Sequence, residues 1–201
     1  DPLPGDRGLT PTAYVAPWAL IDGALRRDVR FDVDERGCIA NLGDANEPGE
    51  LPTRRSLGNA LWLPGFVNAH SHAFQRGIRG QTHRRLPGEN SFWSWRTAMY
   101  QAAGALDPEG LYAITRSAFR EMLRAGITHV GEFHYIHHQP DGTPYEDPNE
   151  LSWRVVQAAK DVGIRLTLLE VFYARAGAGK PPLPEQRRFC DGSVDAYLRR
   201  V

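Results

Sequence analysis

The sequence predicts an α/β protein in which a small β-rich segment precedes a parallel sheet with helical crossovers. Three observations carry this reading. Positions 1–60 hold short apolar stretches broken by turn residues, and a helix-then-strand unit occurs twice between 107 and 173. The strand that closes the second unit, Leu166–Phe172, is apolar on both faces, as a strand covered on two sides must be.

Within residues 1–60, the segments Ala13–Ile21, Asp28–Val33 and Cys38–Leu42 are separated by Asp-Gly, Glu-Arg-Gly and Asn/Glu/Pro/Gly turns, the pattern of a β-meander. A second region, 61–201, starts with the apolar run Ala60–Asn68 and the triplet His70-Ser71-His72. Ser91–Leu106 follows, with Phe92, Trp95, Met99, Ala102, Ala103 and Leu106 at helical spacing. Asp107-Pro108-Glu109 opens the next helix: Asp is a good N-cap, and Pro suits the first helical position because an N–H there has no partner anyway. Leu111, Ile114, Ala118 and Met122 form its apolar face, Gly126 ends it, and Ile127–Tyr135 is the strand. Asp147-Pro148-Asn149-Glu150 repeats the opening with Asp and Glu at capping-box spacing. Leu151, Val155, Ala158 and Val162 make the face, Gly163 closes it, and Ile164–Tyr173 is the third strand.

The 201 residues carry 24 basic and 24 acidic side chains, a formal net charge of zero. Neither a nucleic-acid footprint nor a membrane-surface one is expected from that balance. No stretch approaches the ~20 apolar residues of a membrane span, and Asp1–Gly8 is unlike a signal peptide. Cys38 and Cys190 lack the spacing of a metal or redox pair, so both are expected as reduced thiols of a cytoplasmic protein.

The chemistry lies at His70 and His72. Side chains alternate along a strand, so two histidines separated by one residue project the same way. At the carboxyl end of a parallel strand they point to where α/β barrels build their sites. Neutral imidazole is a common zinc ligand, and a catalytic zinc takes about three protein ligands plus water, so as ligands this pair would be an incomplete site; the spacing alone is equally that of two polar loop histidines after a strand.

Leu63-Pro64-Gly65-Phe66-Val67-Asn68-Ala69-His70-Ser71-His72 resembles the first-strand signature of the amidohydrolase superfamily. The resemblance implies the N-terminal part of a (β/α)8 TIM barrel preceded by a small β-rich domain. Further along, Ala73-Phe74-Gln75-Arg76, Ser91-Phe92-Trp93-Ser94-Trp95-Arg96 and Glu132-Phe133-His134-Tyr135-Ile136-His137-His138 are similar to motifs of the formimidoylglutamate deiminase family. That likeness implies zinc-dependent hydrolysis of N-formimino-L-glutamate to N-formyl-L-glutamate and ammonia, a step of histidine degradation. Iron or manganese would be less expected occupants.

Under this resemblance His70 and His72 are metal ligands, and Gln75, Arg96 and Tyr135 bind substrate. An amide that donates and accepts suits a formimino group, and a guanidinium fork suits a carboxylate. Trp93 and Trp95 are expected to pack and position their helix. His134 is read as structural, paired within the barrel wall, His137 and His138 as loop residues without a second metal, and His83 and His129 as ordinary polar residues. The resemblance places the remaining ligands, the proton-transferring groups and part of the substrate clamp on later strands, so no catalytic residue is expected within this chain. A barrel takes ~250 residues, and the expectation is a piece of a longer enzyme, homodimeric at full length and inactive as the isolated chain. The alternatives are another amidohydrolase acting on an aminated ring, or a non-catalytic binding module. A Rossmann-type nucleotide binder is disfavoured, because no Gly-x-Gly-x-x-Gly follows a strand.

Overall fold

The computed structural model describes residues 9–80 and 91–201; His83 and the segment Asp1–Gly8, read as unlike a signal peptide, lie outside them. The chain falls into two compact units, 1–64 and 65–201. The divide lies four residues beyond the one drawn from sequence composition, because Leu61 and Trp62 pair with the first strand and so belong to the β unit.

In the first unit β1 (Thr12–Ile21), β2 (Ala24–Val33) and β3 (Ile39–Asp44) form the expected antiparallel meander. Asp22 and Gly23, both at positive φ, make the two-residue β1–β2 turn, the geometry that matches the twist of a hairpin. β4 (Arg54–Ser56) and β5 (Leu61–Trp62) add to the other side of β1 in parallel, so the sheet is mixed. Arg30 is buried among the strands, its Nε donating to Asp32 at 3.1 Å and its Nη1 to the Glu47 carbonyl at 2.8 Å.

The second unit is a parallel sheet in the order β6 (Phe66–Ser71), β7 (Ile127–His134), β8 (Arg165–Glu170). α1 (Ser91–Ala105) and α2 (Pro108–Arg124) lie between β6 and β7 in sequence, and α3 (Glu150–Val162) between β7 and β8. α4 (Val194–Arg200) comes last. Short 3-10 helices cover Ala73–Ile78 and Pro184–Phe189. α2 begins as expected: Asp107 accepts from the Gly110 amide at 2.7 Å, and Pro108 is its first residue. α3 does not. Asp147 accepts from the Asn149 amide at 2.8 Å in a turn, Asn149 is the N-cap without a side-chain bond, and its amide reaches the Arg200 carbonyl instead.

The core gathers Leu111, Ala118 and Phe119 of α2, Leu151, Val155 and Ala158 of α3, and Val130 of β7. One face of β8 is turned to the helices. The other, carrying Arg165, Thr167 and Leu169, is exposed, so the two-sided cover expected of Leu166–Phe172 is one-sided in this chain. Two glycines permit the close approach of strands near the histidines. A Cβ on Gly65 would run into the Thr128 side chain, and one on Gly131 would meet the Ala69 carbonyl oxygen at 2.9 Å. The second clash is with backbone, which cannot swing away. Gly131→Ala is therefore expected to destabilise the protein by about 1–3 kcal/mol, read as a lower denaturation midpoint in urea.

Candidate functional site

β6 brings His70 and His72 to its carboxyl end on one side of the strand, as period-two alternation requires. Their Nε2 atoms face each other at 3.0 Å, with the rings edge-on at 4.7 Å between centroids. The Phe133 carbonyl lies 3.1 Å from His72 Nδ1. A carbonyl only accepts, so Nδ1 carries the hydrogen and Nε2 keeps its lone pair toward His70. Burial, foremost, holds the His72 pKa below its ordinary value, with His70 adding to the effect against the Phe133 bond. The imidazole is thereby kept neutral. Two nitrogens each about 2.0–2.1 Å from one tetrahedral zinc lie roughly 3.3 Å apart, so the pair fits a shared metal ion.

Beside this pair stand Gln75 and Tyr135. Gln75, on the 3-10 helix after β6, donates from Nε2 to the Tyr135 hydroxyl at 3.2 Å. Tyr135 follows β7 and packs its ring against His72 at 5.3 Å and Phe74 at 5.3 Å. Its O–H points to the Met99 sulfur at 3.7 Å, a weak acceptor that a carboxylate oxygen would displace. Burial, the leading cause, pushes the phenol pKa well up, so Tyr135 remains a donor. Arg96 projects from α1, donates from Nε to Tyr100 Oη at 2.9 Å, and lies 5.4 Å over Trp93 and 5.3 Å over Tyr100. Trp95 is partly buried against the core as expected, whereas Trp93 is 55% exposed and serves as a platform for Arg96 rather than as packing.

The opposite side of β7 is a different environment. Glu132 and His134 point under the helices and are buried. Glu132 Oε1 accepts from the Ala73 amide at 2.6 Å, gripping the chain immediately after His72. Burial pushes its carboxyl up to about 7, outweighing the Ala73 amide and the Ser71 hydroxyl, which pull it down. The sequence reading missed this residue, although its place two before His134 puts it on that buried face.

His137 and His138 follow β7 in a loop as expected, but they are buried, at 1% and 7% exposure. Arg188 buries them: its carbonyl accepts from both their amides, and its guanidinium donates to the His138, Ala103 and Leu106 carbonyls. His134, His137 and Glu170 hold potential ligand atoms within 4.8 Å of one another. Glu170 is already engaged, accepting from Ser152 at 2.5 Å and from Arg200 at 2.7 Å. Burial first, and then Arg200, depresses His137 to about 4; burial takes His134 to about 3. His134 Nε2 has no partner among the described residues, so the pairing expected of it is not made through that atom. His129 bonds Thr167 across the open face at 2.9 Å. Both cysteines are free.

The sequence model of the amidohydrolase family matches residues 61–199, and the chain belongs to that family. It is 46% identical over 189 residues to the formimidoylglutamate deiminase of Pseudomonas aeruginosa, covering 93% of this chain and 40% of that protein. An amidohydrolase crystal structure from Brucella melitensis superposes with a TM-score of 0.84 at 38% identity, over 94% of this chain and 41% of that one. A zinc-bound adenosine deaminase from Xanthomonas campestris gives 0.67 at 21% identity over 94% and 38%, a likeness of fold. The chain thus has the α/β fold of the amidohydrolase barrel and spans about two fifths of the length of these relatives. Among the described residues no helix is long and apolar enough to cross a membrane.

Glu132 gives a pH test. Its folded pKa of about 7 lies above the ordinary 4.5, so between these values the native state binds more protons than the unfolded one. Stability attributable to this group is full below pH 4.5 and falls as pH rises to 7. In metal-free protein, Glu132→Gln should gain roughly 1–3 kcal/mol over the parent at pH 8 and little at pH 5, in urea titrations at both values.

Proposed function

We propose that the full-length protein hydrolyses N-formimino-L-glutamate to N-formyl-L-glutamate and ammonia, using zinc held in part by His70 and His72. The observation that carries this is the resemblance of 46% to a formimidoylglutamate deiminase, together with groups around the histidine pair that suit an amidine and a carboxylate. Zinc, when bound, supplies Lewis acidity and lowers the pKa of a coordinated water to about 7.

The chain's own residues then orient the substrate. The Gln75 amide faces the site with a carbonyl that accepts from a formimino N–H, while its nitrogen is held by Tyr135. The Tyr135 hydroxyl exchanges its contact with Met99 for a carboxylate oxygen. Arg96 offers its guanidinium fork to the glutamate portion, steadied from below by Trp93 and Tyr100. A neutral aminated ring would give Arg96 and Tyr135 nothing ionic to hold, which favours the amino-acid substrate. Proton transfer and the remaining ligands are assigned to parts of the protein beyond this chain's residues, and the enzyme is expected in the cytoplasm as a homodimer.

Ammonia release from N-formimino-L-glutamate by the full-length protein is expected to stop on chelation and return with zinc. His70→Ala and His72→Ala should each reduce bound zinc by metal analysis. Arg96→Met should raise KM about 10- to 100-fold, the worth of a hydrogen-bonded charge pair, with kcat within threefold. Turnover of an aminated purine or triazine instead, with no ammonia from the formimino substrate, would replace this reading with a ring aminohydrolase.

A further inference from the structure

Behind Arg96 lies a hydrogen-bonded cluster that the residues discussed so far do not explain. Gln186, on the 3-10 helix Pro184–Phe189, is fully buried. Its Oε1 accepts from the Leu183 amide at 2.8 Å, and its Nε2 donates to Tyr100 Oη and to Tyr173 Oη, each at 2.7 Å. The amide cannot be turned over, since its NH2 would then face the Leu183 N–H, donor against donor. Both of its hydrogens are therefore committed, one to each tyrosine.

The remaining hydrogens can be followed from there. Tyr100 Oη accepts from Gln186 and from Arg96 Nε at 2.9 Å. With both acceptor positions filled, its own hydrogen must point elsewhere. Tyr173 Oη accepts from Gln186, and its own O–H is a donor with no acceptor among the described residues. Phe189 fixes the rings in place, lying 6.0 Å from Tyr100, 5.1 Å from Tyr135 and 5.7 Å from Tyr173 between centroids. A buried amide donating to two phenols leaves the Tyr173 hydroxyl hydrogen uncommitted and, through Tyr100, holds one edge of the Arg96 guanidinium. The rest of the Arg96 guanidinium has no acceptor among the described residues.

We propose that Tyr173 is a further carboxylate-binding residue beside Arg96, and that Gln186 and Tyr100 are positioning residues that aim both. The ligand is the anionic end of the substrate, so the assignment rests on the reading of the reaction given above. Burial, the largest cause, raises the Tyr173 pKa to about 12, which keeps the hydroxyl protonated and able to donate across the working range.

The test compares two compounds in the full-length, zinc-loaded protein: N-formimino-L-glutamate and an N-alkylformamidine of similar length without carboxylates. Tyr173→Phe is expected to lower kcat/KM on the dicarboxylate about tenfold through KM, the scale of one hydrogen bond to a charged group, and to leave the formamidine within twofold. Tyr100→Phe and Gln186→Met should show the same selective loss. Equal losses on both compounds would make the cluster merely structural and overturn the proposal, as would variants that keep the parent's preference. If the parent shows no preference for the carboxylates, the proposed reaction fails along with the inference. Should Gln186→Met lose its cooperative thermal transition, Tyr173→Phe, which keeps the ring on Phe189, decides.

Discussion

The bond between the Ala73 amide and Glu132 Oε1, 2.6 Å long, is the contact on which the arrangement of the site depends. β6 loses regular pairing with β7 between Asn68 and Ser71, just where the histidines stand, so the ladder alone does not fix them. The Glu132 carboxyl takes over that task by holding the first residue after His72. The Phe133 carbonyl, one residue along β7, sets the His72 ring. Adjacent residues of one strand thus grip backbone from one side and an imidazole from the other. A carboxyl buried this deeply costs stability as the solution becomes alkaline, and the site tolerates that cost because the chain end of β6 needs an acceptor there.

Much of this was legible because it is local. Period two places His70 and His72 together, separates His134 from Tyr135, and needs no knowledge of the remainder of the chain. Asp107, Pro108 and Gly163 act within one turn of their own helices, and the structure gives them the roles their chemistry requires. The misses are contacts across long sequence separations. Asn149 caps α3 in place of Asp147 while its amide is drawn to Arg200, 51 residues away. His137 and His138 read as polar loop residues until Arg188 closes over them, and no pattern near position 137 announces an arginine at 188. Gln186 is the same case: an amide between a leucine-proline turn and two arginines looks solvated, and its importance exists only once Tyr100 and Tyr173 converge on it.

Two groupings of histidine near the end of β7 invite comparison as metal sites, and electrostatics separates them. The cluster of His134, His137 and Glu170 has three donors, but Arg200 already neutralises the carboxylate at 2.7 Å. A divalent ion there would have to displace or adjoin a buried guanidinium, in surroundings where like charges repel strongly. His137 also bonds the Val171 carbonyl through Nε2 at 2.9 Å. The cluster reads better as a knot joining β8, α3 and α4, with Ser152 and Asp191 as its other strands. His70 and His72 offer fewer donors, yet they lie among aromatic rings, with no guanidinium bonded to either among the described residues, and the tautomer of His72 is set for ligation. Fewer ligands in a field that admits a cation suit an ion better than more ligands in one that opposes it.

The same reasoning divides labour between sheet and helix. His70, His72 and Tyr135 are carried by strands or their immediate continuations, so their positions follow from β6 and β7. Arg96 sits on α1, and a long flexible side chain there would hold many rotamers in water. Its aim must come from neighbours. Trp93 and Tyr100 supply faces, and Tyr100 in turn is fixed by Gln186 from the segment after β8. Arg188, two residues on, joins that segment to the end of α1 through the Ala103 and Leu106 carbonyls. In the proposed function the metal end of the site is set by β6 and β7. In the same proposal the carboxylate end depends on the chain beyond β8 for the aim of Arg96, so part of what would select the substrate lies about a hundred positions or more from the His-x-His motif.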